Sequence, residues 1–296
     1  CVDGSLLLCA ANKAAYIKEK VTKSGQARDA YLLKDEDAWG KWLSDYDEYK
    51  KLNRPTPYFF IVKGQKQVLY YFGARHSYIP TDKQFSALKK FWNKFLNETK
   101  KQNCIVFVEG GKRPIAENEK AAIENSGEAG FITFLAVENH TETLTPEPDQ
   151  KWEREELLKK FSKEEVEYYY FARTVDQWHR RNQKPDFEIY IQPFLERDQR
   201  ISQWLNFDFS LDKMRLIHKS LFRTDFNKLD NQFFAKIVNP MLTVSIINNV
   251  AKNSGKLREI EILREVERFW NNGKNIFIVY GQTHAVIQEP VIKTLA

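Results

Sequence analysis

Short apolar runs alternate with amphipathic segments along most of this chain, and that alternation leaves few folds open to it. Residues 58–62 and 67–72 are two such runs. They are joined by the turn Lys63-Gly64-Gln65-Lys66 and together predict a hairpin. Gly73 ends the second run. Thr81 then stands three residues before Gln84, the spacing of a capping box, so a helix is expected over 82–99. Phe85, Leu88, Trp92 and Phe95 share one face of it. Residues 104–108 are a third apolar run, ending at Glu109-Gly110-Gly111. A helix is expected over 115–125 and a fourth strand over 131–137. Strand, helix, strand, helix, strand is the order of a parallel sheet with crossover helices. The expected fold class is α/β, a mostly parallel central sheet flanked by helices, with a helical cap or insertion in the middle of the chain.

The remaining segments fill in that plan. Residues 11–50 read as one or two amphipathic helices, broken by Asn53-Arg54-Pro55-Thr56-Pro57. Residues 138–150 read as a loop. Ser162-Lys163-Glu164-Glu165 is a second capping box, opening a helix to about residue 181. Residues 184–240 have irregular periodicity and predict short helices beside the sheet. Residues 241–250 predict a helix. A separate one is expected over 257–270, where Leu257, Ile260, Leu263 and Val266 recur at helical spacing. The last strand covers 275–280. The whole reads as one domain over 1–296, with an N-terminal helical segment (1–56), a core (57–150 and 241–296) and a helical insertion (151–240).

Composition narrows the function classes. Of 296 residues, 42% are hydrophobic and 14% aromatic, enough to pack a core and too many aromatics for a disordered chain. Lys and Arg number 46 against 40 Asp and Glu. The basic residues alternate with acids, as in Glu153-Arg154-Glu155-Glu156, so they read as solvated helix faces rather than a phosphate-tracking stripe. No nucleic acid partner is expected. Cys1, Cys9 and Cys104 match no zinc spacing. No apolar stretch is long enough for a membrane span. The chain starts without Met, leaving room for a leader upstream, and a cytoplasmic location is the default expectation. P-loop, dinucleotide-binding, H-E-x-x-H and G-x-S-x-G motifs are absent from the sequence.

Two strand ends repeat one pattern. Gly73-Ala74-Arg75-His76 and Gly281-Gln282-Thr283-His284 each run from an apolar strand through Gly to His, and a third strand ends at Glu109. Loops at the carboxyl ends of parallel strands converge on one crevice, so His76, Glu109 and His284 are expected to meet there. Two imidazoles and a carboxylate suit two chemistries. They can ligate a divalent metal that activates water, or one His can act as a general base on water. Glu138 and His140, just past the expected fourth strand, and Glu147, between two prolines, are secondary candidates for substrate contact. Arg75 either binds an anionic substrate group or pairs with a surface acid. The plainer reading of His179, His218 and the run Tyr168-Tyr169-Tyr170-Phe171 is packing.

At these residues the chain resembles the TraB/TIKI and erythromycin-esterase/ChaN-like superfamily. That superfamily carries two G-x-x-H motifs, an acid after an early strand, and an Arg on the helix before the second motif. Gly73 to His76, Gly281 to His284, Glu109 and Arg258, followed by Glu259, are similar to these. The likeness covers roughly residues 60–150 and 240–293. It implies a parallel α/β domain with a cleft between the two His loops, with His76, Glu109, Arg258 and His284 as catalytic residues. Members include proposed metal-dependent proteases, metal-independent esterases and a heme-binding protein. The resemblance therefore implies a hydrolase of ester or amide bonds in a small molecule or peptide, with Mn, Co or Zn on His76, Glu109 and His284, or no metal. A non-catalytic protein holding heme or a small ligand in the same cleft is the alternative. The absence of a terminal span in this sequence argues against a membrane-anchored protease.

Overall fold

The computed structural model describes residues 54–296 except 112 and 182, together with Tyr49, Lys51 and Leu52. All belong to one compact unit, Ser44–Ala296. The helices expected over 11–50 fall almost wholly outside the described residues. Five strands form one sheet in the order β1-β2-β5-β3-β4: β1 (Tyr58–Lys63), β2 (Val68–Ala74), β3 (Cys104–Val108), β4 (Glu142–Leu144) and β5 (Asn275–Gly281). Only β1 runs antiparallel, in the expected hairpin with β2; the other neighbours pair in parallel. The α/β architecture is therefore the expected one.

Both faces of the sheet are covered. On one, Val68, Tyr70 and Phe72 of β2, Val106 and Val108 of β3, and Phe277 and Val279 of β5 pack on helices α1 (Lys83–Thr99) and α2 (Glu119–Glu138). Phe85, Leu88, Phe91, Trp92 and Phe95 of α1 supply that contact, the stripe that its periodicity predicts. On the other face lie α8 (Ile246–Asn271), with Phe269 edge-on to Phe107, and α9 (Gln282–Lys293), with Gln288 bonded to Tyr71. Between β4 and α8 come α3 (Gln150–Leu158), α4 (Lys163–His179), α5 (Phe187–Ser202), α6 (Leu211–Phe222) and α7 (Asn231–Ile237). These helices share a second core that includes Tyr168, Phe171, Trp178, Phe187, Met214 and Phe234, and it reaches α8 at Ile247 and Val250.

Four expectations need correction. Residues 131–137 are not a strand but the second half of α2, which continues past a break at Ser126 and Gly127. A short unbroken apolar run fits a buried helix as well as a strand. The actual β4 is a three-residue edge strand of Glu, Thr and Leu, with no apolar run to mark it. The N-cap of α1 is Asp82, not Thr81; Asp82 accepts from the Gln84 N–H at 3.0 Å. The Gln84 side chain instead holds both backbone groups of Arg75 (3.1 and 2.6 Å). The helices expected over 241–250 and 257–270 are one helix, α8. Its weak middle, Asn253-Ser254-Gly255, stays helical where Ser254 bonds to Tyr169 (3.1 Å) and Glu153 (2.5 Å). The capping box at Ser162 and Glu165 is present.

Gly73 is the tightest point between the sheet and α9. A Cβ there would lie 2.7 Å from the Ala285 Cβ, 2.9 Å from the Tyr58 carbonyl oxygen and 3.1 Å from the Gln282 Cα. Two of these are backbone atoms and cannot swing aside. Gly73→Ala is expected to lower the unfolding free energy by about 1–3 kcal/mol, the usual range for overpacking, measured by denaturant titration. An unchanged midpoint would show that the start of α9 can move off β2.

Candidate functional site

Strand register sets the two G-x-x-H motifs side by side. Gly73 pairs with Tyr280 and Ala74 with Gly281, so β2 and β5 end together. On the other flank Val108 pairs with Val279, and the Glu109 N–H bonds to the Val279 carbonyl. β5 is the middle strand of the three, and its Gly281 N–H donates to Glu109 Oε2 at 2.7 Å. The two motifs are not both loops, however. His284 lies in the first turn of α9, for which Gly281 is the N-cap residue.

Glu109 is the hub. His284 Nε2 faces its Oε1 at 3.6 Å and His76 Nε2 faces its Oε2 at 3.9 Å. The Arg258 guanidinium stands 3.6 Å from Oε1. Arg258 also makes a two-point ion pair with Glu147 (2.8 and 3.0 Å), and Glu147 accepts from the Gly110 N–H at 3.2 Å. Thus His76, Glu109, Glu147, Arg258 and His284 all stand in one cluster.

Each histidine has a second carboxylate behind it. His284 Nδ1 lies 2.6 Å from Glu259 Oε1, and Glu259 Oε2 accepts from Gln288. Gln288 in turn accepts from the Tyr71 hydroxyl, so the orientation of His284 is fixed from the sheet. His76 Nδ1 lies 2.5 Å from Glu128. Glu128 reaches it because of the break in α2. Gly127 adopts φ +57°, and a Cβ there would come within 2.9 Å of the Ser77 carbonyl. Neither Glu128 nor Glu259 is among the site residues expected from the sequence, although Glu259 enters the family likeness beside Arg258. Glu259 is adjacent to Arg258, whereas Glu128 sits where a turn before a strand is expected.

Both imidazoles gain proton affinity from the carboxylates around them, and they differ in burial. Burial would lower the His284 pKa, but Glu259 and Glu109 outweigh it and raise the value to about 10. At neutral pH this ring is a cation. His76 is raised above its usual 6.5, first by the Glu128 hydrogen bond, against burial, with help from Glu109. Its side chain is 60% exposed, against 13% for His284. Burial alone would push Glu109 up, yet His284, Arg258 and His76 hold its carboxyl well below the usual range. Arg113 holds the main chain at this point: its Nη2 donates to the backbone carbonyl of Glu109 at 2.6 Å, while its buried Nη1 has no partner among the described residues.

Two expected contacts fall elsewhere, and Arg75 takes the second of its two expected roles, a pairing with a surface acid. Glu138 ends α2 and His140 follows in a left-handed turn, both exposed. They precede β4, at the amino end of the sheet, because no strand runs through 131–137. Arg75 pairs with Asp82 at 2.7 Å and lines a cavity of about 480 Å³ that includes none of His76, Glu109 and His284. His218 is buried, with Nδ1 2.5 Å from the Tyr168 hydroxyl and its ring among Phe222, Phe226 and Phe233. Tyr168, Tyr169, Tyr170 and Phe171 are all buried as packing residues.

Among the described residues, no group of three His, Cys, Asp or Glu side chains converges as a metal site would require. His76, Glu109 and His284 fit a shared metal poorly. Arg258 places a fixed positive charge beside the Glu109 oxygen that faces His284, and the other oxygen already takes the Gly281 N–H. No helix among the described residues is long and apolar enough to cross a membrane. No protein-family model matches the chain, and neither a curated protein nor a solved structure matches it.

The charge of His284 has a consequence for stability. A folded-state pKa raised above the unfolded value stabilises fully below about 6.5 and loses that contribution as pH rises through about 10. Unfolding free energy is therefore expected to fall between those values, by an amount on the order of a few kcal/mol. His284→Gln should flatten that slope. An equally steep slope in the variant would assign it to another group.

Proposed function

We propose that this protein is a hydrolase of ester or amide bonds, similar in its site to the TraB/TIKI and erythromycin-esterase/ChaN-like superfamily. The observation that carries the reading is the pair of histidines on one carboxylate, one exposed and one buried. His76 is exposed, with its proton affinity raised by the Glu128 hydrogen bond, whereas His284 is buried between Glu259 and Glu109 and positively charged. An accessible imidazole base beside fixed positive charge is what hydrolysis needs.

In this reading His76 is the general base. Glu128 accepts from its Nδ1–H, which leaves the Nε2 lone pair free on the Glu109 side of the exposed ring. Nε2 takes a proton from water as the oxygen attacks the substrate carbonyl. The proton then passes from His76 to the leaving oxygen or nitrogen as the carbonyl–heteroatom bond breaks. The negative charge that develops on the carbonyl oxygen is met by positive groups already in place, His284 and Arg258. Glu109 holds these cations together and is not itself the base, because its proton affinity is too low. No step runs through a metal. Loss of turnover on dialysis against a chelator, restored by Mn, Co or Zn, would recast His76, Glu109 and His284 as ligands.

The test uses p-nitrophenyl esters and amides as probes. His76→Gln is expected to lower kcat by about 10²–10⁴-fold, with the fold checked by circular dichroism. In the native protein the rising limb of the pH–rate profile should lie above 6.5. Glu128→Gln removes the main cause of that rise, so the limb should move to lower pH while the plateau falls. Unchanged turnover in both His76→Gln and His284→Gln would overturn the proposal. Stoichiometric heme absorption in the purified protein would instead favour the ligand-binding reading.

A further inference from the structure

The break in α2 that brings Glu128 to His76 also shapes a groove. Ala122 and Gly130 are eight residues apart, about 12 Å along a straight helix. Here a Cβ on Gly130 would lie 2.4 Å from the Ala122 carbonyl oxygen and 2.6 Å from the Ser126 Cβ, so the second half of α2 folds back onto the first. With the segment Pro114-Ile115-Ala116, this corner bounds a groove of about 270 Å³, lined also by Ala122, Ser126 and Phe134. None of the nine described residues that line it is ionisable. Ile115 is 63% exposed, and the Thr133 hydroxyl is already used on the Ala129 carbonyl at 2.7 Å. The larger cavity beside β2, by contrast, is lined by Arg75, Asp82 and Lys83.

Both walls of the groove are tied to the charged cluster. Pro114 follows Arg113, which donates to the Glu109 carbonyl at 2.6 Å. Ser126 stands two residues before Glu128, the carboxylate 2.5 Å from His76 Nδ1. Consecutive Cα atoms are about 3.8 Å apart, so each wall begins within about 8 Å of backbone from Arg113 or Glu128. Tyr78 joins the two regions. It lies two residues past His76 and is 61% exposed, and its Cε1 is 3.7 Å from where a Cβ on Gly127 would stand. Its ring therefore reaches from the His76 loop to the α2 break, next to Ser126 of the groove wall. Exposed apolar surface thus leads from the proposed base towards an uncharged recess.

We propose that this groove holds an apolar group of the substrate, a short alkyl chain or a single ring, while His76 acts on the carbonyl attached to it. The reaction rests on the hydrolase reading; the apolar site does not. Pockets that take a whole drug-sized ligand measure about 300–1,000 Å³, so a groove of this size receives a substituent rather than a whole molecule. Its uncharged lining disfavours an ionic group, which would give up water there with nothing to replace it. The substrate class is then an ester or amide whose acyl part is apolar.

The experiment measures kcat/KM of the full chain on p-nitrophenyl acetate, butyrate and hexanoate. Each methylene that enters the groove is expected to raise kcat/KM by about threefold to fourfold. Ile115→Ser, and Ala116→Trp, which fills the groove, should lower kcat/KM on the hexanoate ester by about tenfold and leave the acetate ester within about twofold. A flat series, or variants that slow both esters alike, would overturn the proposal. A second measurement needs no turnover and decides the matter if a variant fails to fold. Sodium hexanoate and sodium acetate are titrated into native and His76→Gln protein and followed by isoleucine methyl resonances, with Ile115 identified by its absence from Ile115→Ser. Hexanoate is expected to bind more tightly than acetate and to move the Ile115 methyl in both proteins. Equal affinity for the two acids, or an Ile115 resonance that stays in place, would sink the groove. Hexanoate that moves Ile115 in a protein that cleaves no ester upholds the groove and removes the hydrolase reading. Cleavage indifferent to chain length does the reverse.

Discussion

A single carboxylate, Glu109, organises the candidate site, and its ionised state is the condition on which the other charges rest. Burying a carboxylate is costly unless opposite charges and hydrogen bonds replace water. Here His284, Arg258 and His76 surround it, and the Gly281 N–H donates to it from the neighbouring strand. Coulomb attraction at such separations, in a medium less polar than water, keeps Glu109 ionised and raises the proton affinity of both imidazoles. The arrangement is reciprocal. Removing Glu109 would leave His284 with Glu259 alone and Arg258 with Glu147 alone, so the charge states of the cluster stand together.

That carboxylate can sit there because of topology. Glu109, His76 and His284 are separated by more than thirty and more than a hundred and seventy residues in sequence. They meet because β2, β5 and β3 are parallel neighbours that end at the same level. Parallel pairing sends every connecting segment from that end outward, so polar side chains gather where the strands stop. The amino end has no such role, which is why Glu138 and His140, displaced there by the helical path of 131–137, stand apart from the cluster.

Much of this plan was legible in the sequence, and the reasons for what was not are physical. The hairpin, the third strand and the last strand are apolar runs bounded by Gly or polar turns, and these carry a local signal. The repeated G-x-x-H spacing likewise brought His76, His284 and Glu109 forward from residues alone. The failures have one source, tertiary context outweighing local pattern. Residues 131–137 are apolar on every side because α2 is buried against the sheet, which removes the polar stripe that marks most helices. Glu128 depends on a left-handed glycine inside a helix, and that break has no periodicity to announce it. Gln84 looked like a cap and serves as a clamp on Arg75, since Asp82 had taken the capping role.

The helical insertion is tied to the site by polar contacts as well as by its apolar core. Arg154 of α3 lies between Glu167 of α4 and Asp198 of α5, with its guanidinium 3.8 Å from the Tyr170 ring centroid, and all three charged side chains are almost completely buried. A buried ionic group of this kind adds little net stability against an apolar replacement, but losing one partner strands the others. Its effect is therefore to hold α3, α4 and α5 in one arrangement. From α3 the next residue back, Glu153, accepts from Ser254 in the middle of α8, and Ser254 accepts from Tyr169 of α4. The weak centre of α8 is thereby stitched to the insertion one turn before Arg258. The angle at which α8 delivers Arg258 and Glu259 to the sheet thus depends on contacts made in the insertion. The helices between β4 and α8 are part of how the site is positioned, not an appendage to it.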